Sequence, residues 1–249
     1  MATKKTRLDL VLMENGLASS RQRAQALVRS GKVLVNEAPI DKPGTLIYKN
    51  DHVRLKENDI PYVSRGGLKL ETALRTLEID PTGSTCLDVG ASTGGFTDCL
   101  LQHGADRVFA VDVGYGQLAW RLRQDPRVFV IERTNVRHLA TAALPLPVDF
   151  ITIDVSFISL KIVVPAVVKF MKKETGILAL IKPQFEVGKG KVGKGGVVRD
   201  PKLHSEVIAD LTNFFTREGL LCQSVVTSPI LGPKGNKEFF IYLKPGLAF

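Results

Sequence analysis

Residues 87–96 read Leu87-Asp88-Val89-Gly90-Ala91-Ser92-Thr93-Gly94-Gly95-Phe96. This run closes an apolar, strand-like segment (85–89, TCLDV) and opens a helical one (95–103). Gly90 permits a tight turn, and Gly94 and Gly95 let the backbone approach a ligand closely at a helix N-terminus. In doubly wound α/β folds such a loop stands outside the carboxyl edge of the sheet, where ligands bind. Working outward, further apolar strands are expected at 107–112, 128–131, 149–153 and 176–181, with helices at 67–77, 116–123 and 160–172 between them. Near-continuous apolar strands alternating with helices predict a parallel sheet covered on both faces. A helix at 202–217 and strands at 220–227 and 238–244 extend that sheet. The fold class is therefore α/β, a Rossmann-like sheet with helices on both faces, spanning 61–249.

The loop also narrows the cofactor. A dinucleotide fingerprint needs G-x-G-x-x-G, but Ser92 stands where the second glycine would let a pyrophosphate approach. Asp88, before the turn, suits a cationic amino group better than a diphosphate. Asp112, 22 positions after Gly90, ends the next strand and can accept hydrogen bonds from ribose hydroxyls. S-adenosylmethionine carries an ammonium and a sulfonium and no phosphate, so it fits this pattern better than NAD. A second glycine run, 188–196, nearly fits a nucleotide P-loop, but Gly195 replaces the Ser or Thr that would hold magnesium. Five glycines and three lysines there suit a basic strap able to close on phosphates, or an ordinary surface loop.

Before residue 61 the pattern differs. Leu8, Val11 and Leu12 fall at helical spacing, and Gly16 can stop that helix. Ser19 or Ser20 can cap a second helix through Arg21, Arg23, Ala24, Leu27 and Val28. Short β-prone pieces follow (KVLVN, API, HVRLK). Residues 1–60 hold 11 Lys and Arg against 7 Asp and Glu, and form a small α+β module whose helix pair presents Arg7, Arg21, Arg23 and Arg29. KENDIPYVS (56–64) is the expected hinge.

Composition agrees with a polyanionic partner: the net charge is +9, and hydrophobic residues make up 44% of the 249. Cys86, Cys99 and Cys222 form no CxxC and have no paired histidines nearby, so no zinc or other metal site is expected. No apolar run approaches the ~20 residues of a spanning helix. The chain reads as cytoplasmic, with no membrane partner.

Four charged residues belong together in this frame. Asp154 follows the strand DFITI, Lys182 follows GILALI, Glu238 opens FFIYL, and Lys69 lies on the first helix of the larger domain. A charge at a strand's carboxyl edge faces the ligand crevice, and an antiparallel last strand would bring Glu238 to the same edge.

LDVGASTGGF is very similar to the cofactor loop of the FtsJ-type ribose 2′-O-methyltransferases, with Thr93 where many of them have proline. Lys69, Asp154, Lys182 and Glu238 resemble their Lys-Asp-Lys-Glu tetrad in order and position. The run from RLDLVL to GKVLVNE resembles the S-four-like RNA-binding domain. That fusion, with SRGGLKL, IDVSFISL and IKPQFE, looks like the TlyA family of ribosomal RNA methyltransferases, often labelled hemolysin. The resemblance implies S-adenosylmethionine-dependent methylation of a cytidine ribose 2′-hydroxyl in ribosomal RNA or ribosomal subunits. It implies a cofactor set of Asp88, Gly90 to Phe96, Asp112 and Asn135, with Arg65 joining the RNA-binding arginines. A ribose hydroxyl becomes a nucleophile when a base takes its proton. A lysine serves only when neutral, a state that a second lysine and desolvation favour and a carboxylate opposes. Lys182 is the expected base, Lys69 the group that holds the hydroxyl, and Asp154 and Glu238 orient the two amines. Two alternatives are a non-catalytic RNA-binding factor, against which all four tetrad positions are filled, and a pore-forming hemolysin, against which no spanning segment is present.

Overall fold

The structure, a computed structural model, describes residues 5–56, 60–144, 147–188 and 190–246. Its contacts divide the chain into two compact units, Met1–Pro61 and Tyr62–Phe249. Residues 57–59 of the expected hinge lie outside the described residues, as does 189 in the glycine-lysine run.

In the first unit, β1 (Lys5–Arg7) leads into α1 (Leu8–Glu14), and α2 (Arg21–Arg29) follows. Gly16 and Gly31, both at positive φ, end the two helices. Ser20 caps α2 by accepting from the Arg23 N–H at 3.1 Å. Leu8, Leu12, Ala24, Leu27 and Val28 form the helices' shared apolar face. They pack with β2 (Val33–Val35), which pairs with β3 (Ala38–Ile40) and β5 (Val53–Leu55). The sequence reading lacks two strands here, β1 and β4 (Leu46–Tyr48), which pair antiparallel with each other. With three residues each, neither is long enough to show an alternation.

The second unit begins with α3 (Gly66–Thr76). Its seven-stranded sheet contains β6 (Thr85–Val89), β7 (Arg107–Val111), β8 (Val128–Ile131), β9 (Val148–Ile153), β10 (Met171–Ile181), β11 (Leu220–Thr227) and β12 (Phe239–Pro245). The spatial order is β11-β12-β10-β9-β6-β7-β8, and β12 runs antiparallel to both neighbours. The chain winds one way from β6 to β8 and the other way from β9 onward, so the crevice opens beyond β6 and β9. One sheet face packs on α6 (Leu160–Val167) and α8 (Pro201–Arg217). The other packs on α3, α4 (Gly95–Gln102) and the short α5 (Trp120–Arg123).

Two expected helices shrink. α5 starts only at Trp120, since Gly116 takes φ +71 and Ala119, at ψ 138, is extended. The helix expected over 160–172 ends at Val167, two residues beyond Pro165, and a 3-10 turn leads into β10. Among the described residues, no helix is long and apolar enough to cross a membrane.

Candidate active site

The loop after β6 is shaped by close approaches of protein to protein. A β-carbon on Gly90 would lie 2.5 Å from the Asp154 carbonyl oxygen, so the turn presses against the end of β9. One on Gly94 would meet Leu122 at 2.3 Å, and one on Gly95 would meet Ser64 Oγ at 2.2 Å. The last contact seats the start of α4 on the start of α3, which carries Lys69. On their β-carbon side Gly94 and Gly95 are thus pressed against neighbouring protein, and Gly95 also lines a cavity. Ser92 takes φ +49, a left-handed conformation that costs a non-glycine residue energy, and its N–H donates to Asp112 Oδ2 at 2.8 Å.

Two connected lobes lie over this edge, sharing Gly90, Ser92, Asp154 and Ser156. One, of about 430 Å³, is walled by Val89, Val113, Val136 and Ile158, with Asp112 and Asn135 at its polar side. Asp112 accepts from the N–H groups of Ser92 and Gly114, which hold its carboxylate at the strand end. Asn135 caps a 3-10 turn by accepting from the Arg137 N–H at 3.1 Å, so its carboxamide oxygen has a local partner. No lysine or arginine lines this lobe among the described residues.

The second lobe, about 390 Å³, holds the tetrad together with Ala91, Thr93, Phe96 and Arg65. Lys182 leaves β10 one residue after Ile181, and Glu238 enters β12 one residue before Phe239. Lys69 Nζ donates to Glu238 Oε2 at 2.6 Å in a buried pair. Lys182 Nζ lies 2.6 Å from Asp154 Oδ1, an ion pair whose approach is too bent for a hydrogen bond, since that oxygen has no hydrogen-bond partner among the described residues. Lys182 Nζ also donates to Ser156 Oγ at 3.0 Å. The second Glu238 oxygen, Oε1, is buried without a hydrogen-bond partner among the described residues and lies against Gly232.

Asp88 is not at the cavity. Its carboxylate is buried and accepts from Thr97 Oγ1 at 2.7 Å and Thr152 Oγ1 at 3.0 Å. It ties α4 and β9 to β6, and burial pushes its pKa up to about 6. The expectation that it meets a cofactor's amino group is corrected: its side chain is enclosed under α4, with both oxygens taken by Thr97 and Thr152.

The arginines of the small unit have mixed partners. Arg7 and Arg21 both reach the buried carboxylate of Asp9, at 3.0 and 3.2 Å, while Arg29 is exposed. Arg65 is exposed and donates to the Leu231 carbonyl at 3.4 Å.

Several residues escaped the sequence reading. Phe157 is 89% exposed, adopts φ +63, and sits 4.8 Å from the Phe185 ring. Ser156 contacts Lys182. Asn236, buried, accepts from the Val198 N–H and donates to the Gly196 carbonyl, anchoring the end of the glycine-lysine run two residues from Glu238. Ser156 and Phe157 stand within IDVSFISL, the one signal that could have pointed to them.

A sheet with one antiparallel strand next to last, a glycine turn at its switch point and a charged crevice beside it define a methyltransferase-type α/β domain. The chain belongs to the FtsJ-like methyltransferase family, matched over residues 62–245, and residues 6–53 match the S4 domain. It is 48% identical to YqxC of Bacillus subtilis, which carries an rRNA methyltransferase designation, over 98% of this chain and 87% of that protein. It is 46% identical to the 16S/23S rRNA (cytidine-2′-O)-methyltransferase TlyA of Mycobacterium tuberculosis, over 97% and 90%. A solved structure from Streptococcus thermophilus, described as a hemolysin, shares the fold with a TM-score of 0.77 and 40% identity, over 99% of this chain and 90% of that one.

Proposed function

We propose that the chain transfers a methyl group from S-adenosylmethionine to a cytidine ribose 2′-oxygen of ribosomal RNA, acting in the cytoplasm. The observation that carries this reading is two lysine–carboxylate pairs in one lobe, joined to an apolar lobe with a carboxylate at its polar side and, among the described residues, no lysine or arginine on its wall. That second lobe suits an uncharged purine and a ribose whose hydroxyls donate to Asp112, and offers nothing to a pyrophosphate. Bound there, S-adenosylmethionine supplies a methyl group on a sulfonium centre.

The chain's own part is to prepare the acceptor. Lys182, in its neutral form, takes the proton of the 2′-hydroxyl at Nζ. Lys69, fixed by Glu238, donates to the same oxygen and holds it in line. Asp154 balances the charge Lys182 acquires. No metal ligand is needed for any of these roles. Exposed Phe157 gives a splayed-out base an aromatic face beside the tetrad, as recognition of unstacked RNA requires. Residues 1–60, as an S4-like domain with Arg7, Arg21, Arg23 and Arg29, and with Arg65 at the mouth of the site, supply phosphate contacts.

Mapping 2′-O-methylation in ribosomal RNA from cells with and without the gene tests the reading. A cytidine methylated only when the gene is present supports it; identical maps contradict it. Calorimetry separates the cofactors: S-adenosylmethionine should bind and NAD should not.

A further inference from the structure

Lys69 and Lys182 are held in different ways. Lys69 has a carboxylate that both neutralises and orients it, since Glu238 Oε2 accepts its hydrogen bond at 2.6 Å. Lys182 divides these two tasks. Asp154 attracts it at 2.6 Å but from an angle too bent for a hydrogen bond. Ser156 Oγ accepts the hydrogen bond that Lys182 Nζ does make among the described residues, at 3.0 Å. Coulomb attraction depends on separation and leaves an amine free to rotate, whereas a hydrogen bond is directional. We infer that Ser156 is a positioning residue for the base: its hydroxyl fixes the rotation of the Lys182 amine, so that the nitrogen lone pair faces the substrate hydroxyl.

The stereochemistry supports this. A neutral lysine amine is tetrahedral, with Cε, two hydrogens and one lone pair. With one hydrogen committed to Ser156, the lone pair is confined to the two remaining tetrahedral positions, and the negative charge of Asp154 disfavours the one nearer to it. Without the Ser156 bond the amine can rotate about Cε–Nζ and point a hydrogen at the incoming hydroxyl, a geometry that cannot accept its proton. Ser156 lines both lobes and is exposed at their junction, so its hydroxyl lies where donor and acceptor must meet. In the step concerned, the 2′-oxygen–hydrogen bond breaks and its proton joins the Nζ lone pair; the oxygen's freed electron pair would form the bond to the methyl carbon as the carbon–sulfur bond breaks, its pair staying on the sulfur of the neutral thioether that leaves. Misplacing a reacting group by about 1 Å can cost about 10²-fold in rate.

This inference rests on the reading of Lys182 as base, and the experiment separates the two. Ser156→Ala, Ser156→Thr and Lys182→Ala are compared as full-length proteins, using ribosomal subunits from cells lacking the gene. Methyl transfer is measured in single turnover, and S-adenosylmethionine and subunit affinities are measured separately. Ser156→Ala should slow transfer about 10- to 100-fold with both affinities within about twofold of wild type, and Ser156→Thr, which keeps the hydroxyl, should recover most of the rate. Wild-type transfer by Ser156→Ala overturns the inference, and so does a rate loss matched by lost cofactor affinity, which would make Ser156 a cofactor ligand. Wild-type transfer by Lys182→Ala would instead remove the base itself.

Discussion

Ile181 on β10 and Phe239 on β12 are direct partners across an antiparallel pair, so Lys182 and Glu238, one residue beyond each, leave the sheet side by side. The register of one strand pair thus places half of the tetrad. β9, parallel to β10 on its other side, brings Asp154 to the same edge. Lys69 comes from α3, whose start is locked onto α4 through the close Gly95–Ser64 contact.

Glu238 should be sensitive to its neighbour Gly232. A β-carbon there would lie 2.0 Å from Glu238 Oε1 and 2.5 Å from its Cδ, so Gly232→Ala should displace the carboxylate and disturb its bond to Lys69. Methyl transfer should fall about 10- to 100-fold while the affinity for S-adenosylmethionine holds. Unchanged turnover in Gly232→Ala would show that the Lys69–Glu238 pair is dispensable.

Asp88 makes the stability of the catalytic unit depend on pH. Burial raises its pKa to about 6 in the folded protein, above its ordinary value of 3.8. The folded state therefore binds more protons than the unfolded state between those values, and this group's contribution to stability declines as pH rises from about 4 to 6. In Asp88→Asn that slope should disappear, as read from thermal melts in a pH series. An equal slope in the variant would place its origin elsewhere.

Asp9 works in the opposite sense. Its hydrogen bond from Arg7 chiefly, with Gln25 and Arg21 adding to it, holds its carboxyl well below the usual range. Its stabilisation is thus complete above about pH 4 and is lost only as pH falls further. Asp9→Asn should melt earlier at pH 7, and the difference should narrow toward pH 2. Arg29→Ala, which leaves this cluster intact, should weaken RNA binding and reduce its salt slope by about 1. An unchanged slope would exclude Arg29 from the RNA contacts.

The sheet was legible because its strands are long, apolar and punctuated by glycines, and the tetrad was legible because three of its members stand directly at strand ends. Side-chain direction was not. Asp88 and Asp154 both sit at or near strand ends, but Asp88 is still within β6 and enclosed under α4, whereas Asp154 stands one residue past β9 and lines the crevice. Gly94 and Gly95 show the same limit, since a glycine reports that something comes close without saying whether it is ligand or protein. Ser156 and Phe157 were hidden because an isolated serine or phenylalanine after a strand has no periodicity to mark it. α6 was overextended because the apolar run 160–172 continues past the helix into the 3-10 turn and β10, and composition does not register that change.

The central claim, that Lys182 is the base of a methyl transfer, is tested most directly by tritium transfer from labelled S-adenosylmethionine into purified ribosomal subunits. Lys182→Ala should lose about 10²–10⁴ in rate and keep its cofactor affinity. Lys182→Arg should be equally inactive, because a guanidinium stays protonated at any usable pH. Methyl transfer at the wild-type rate by either variant would contradict the account.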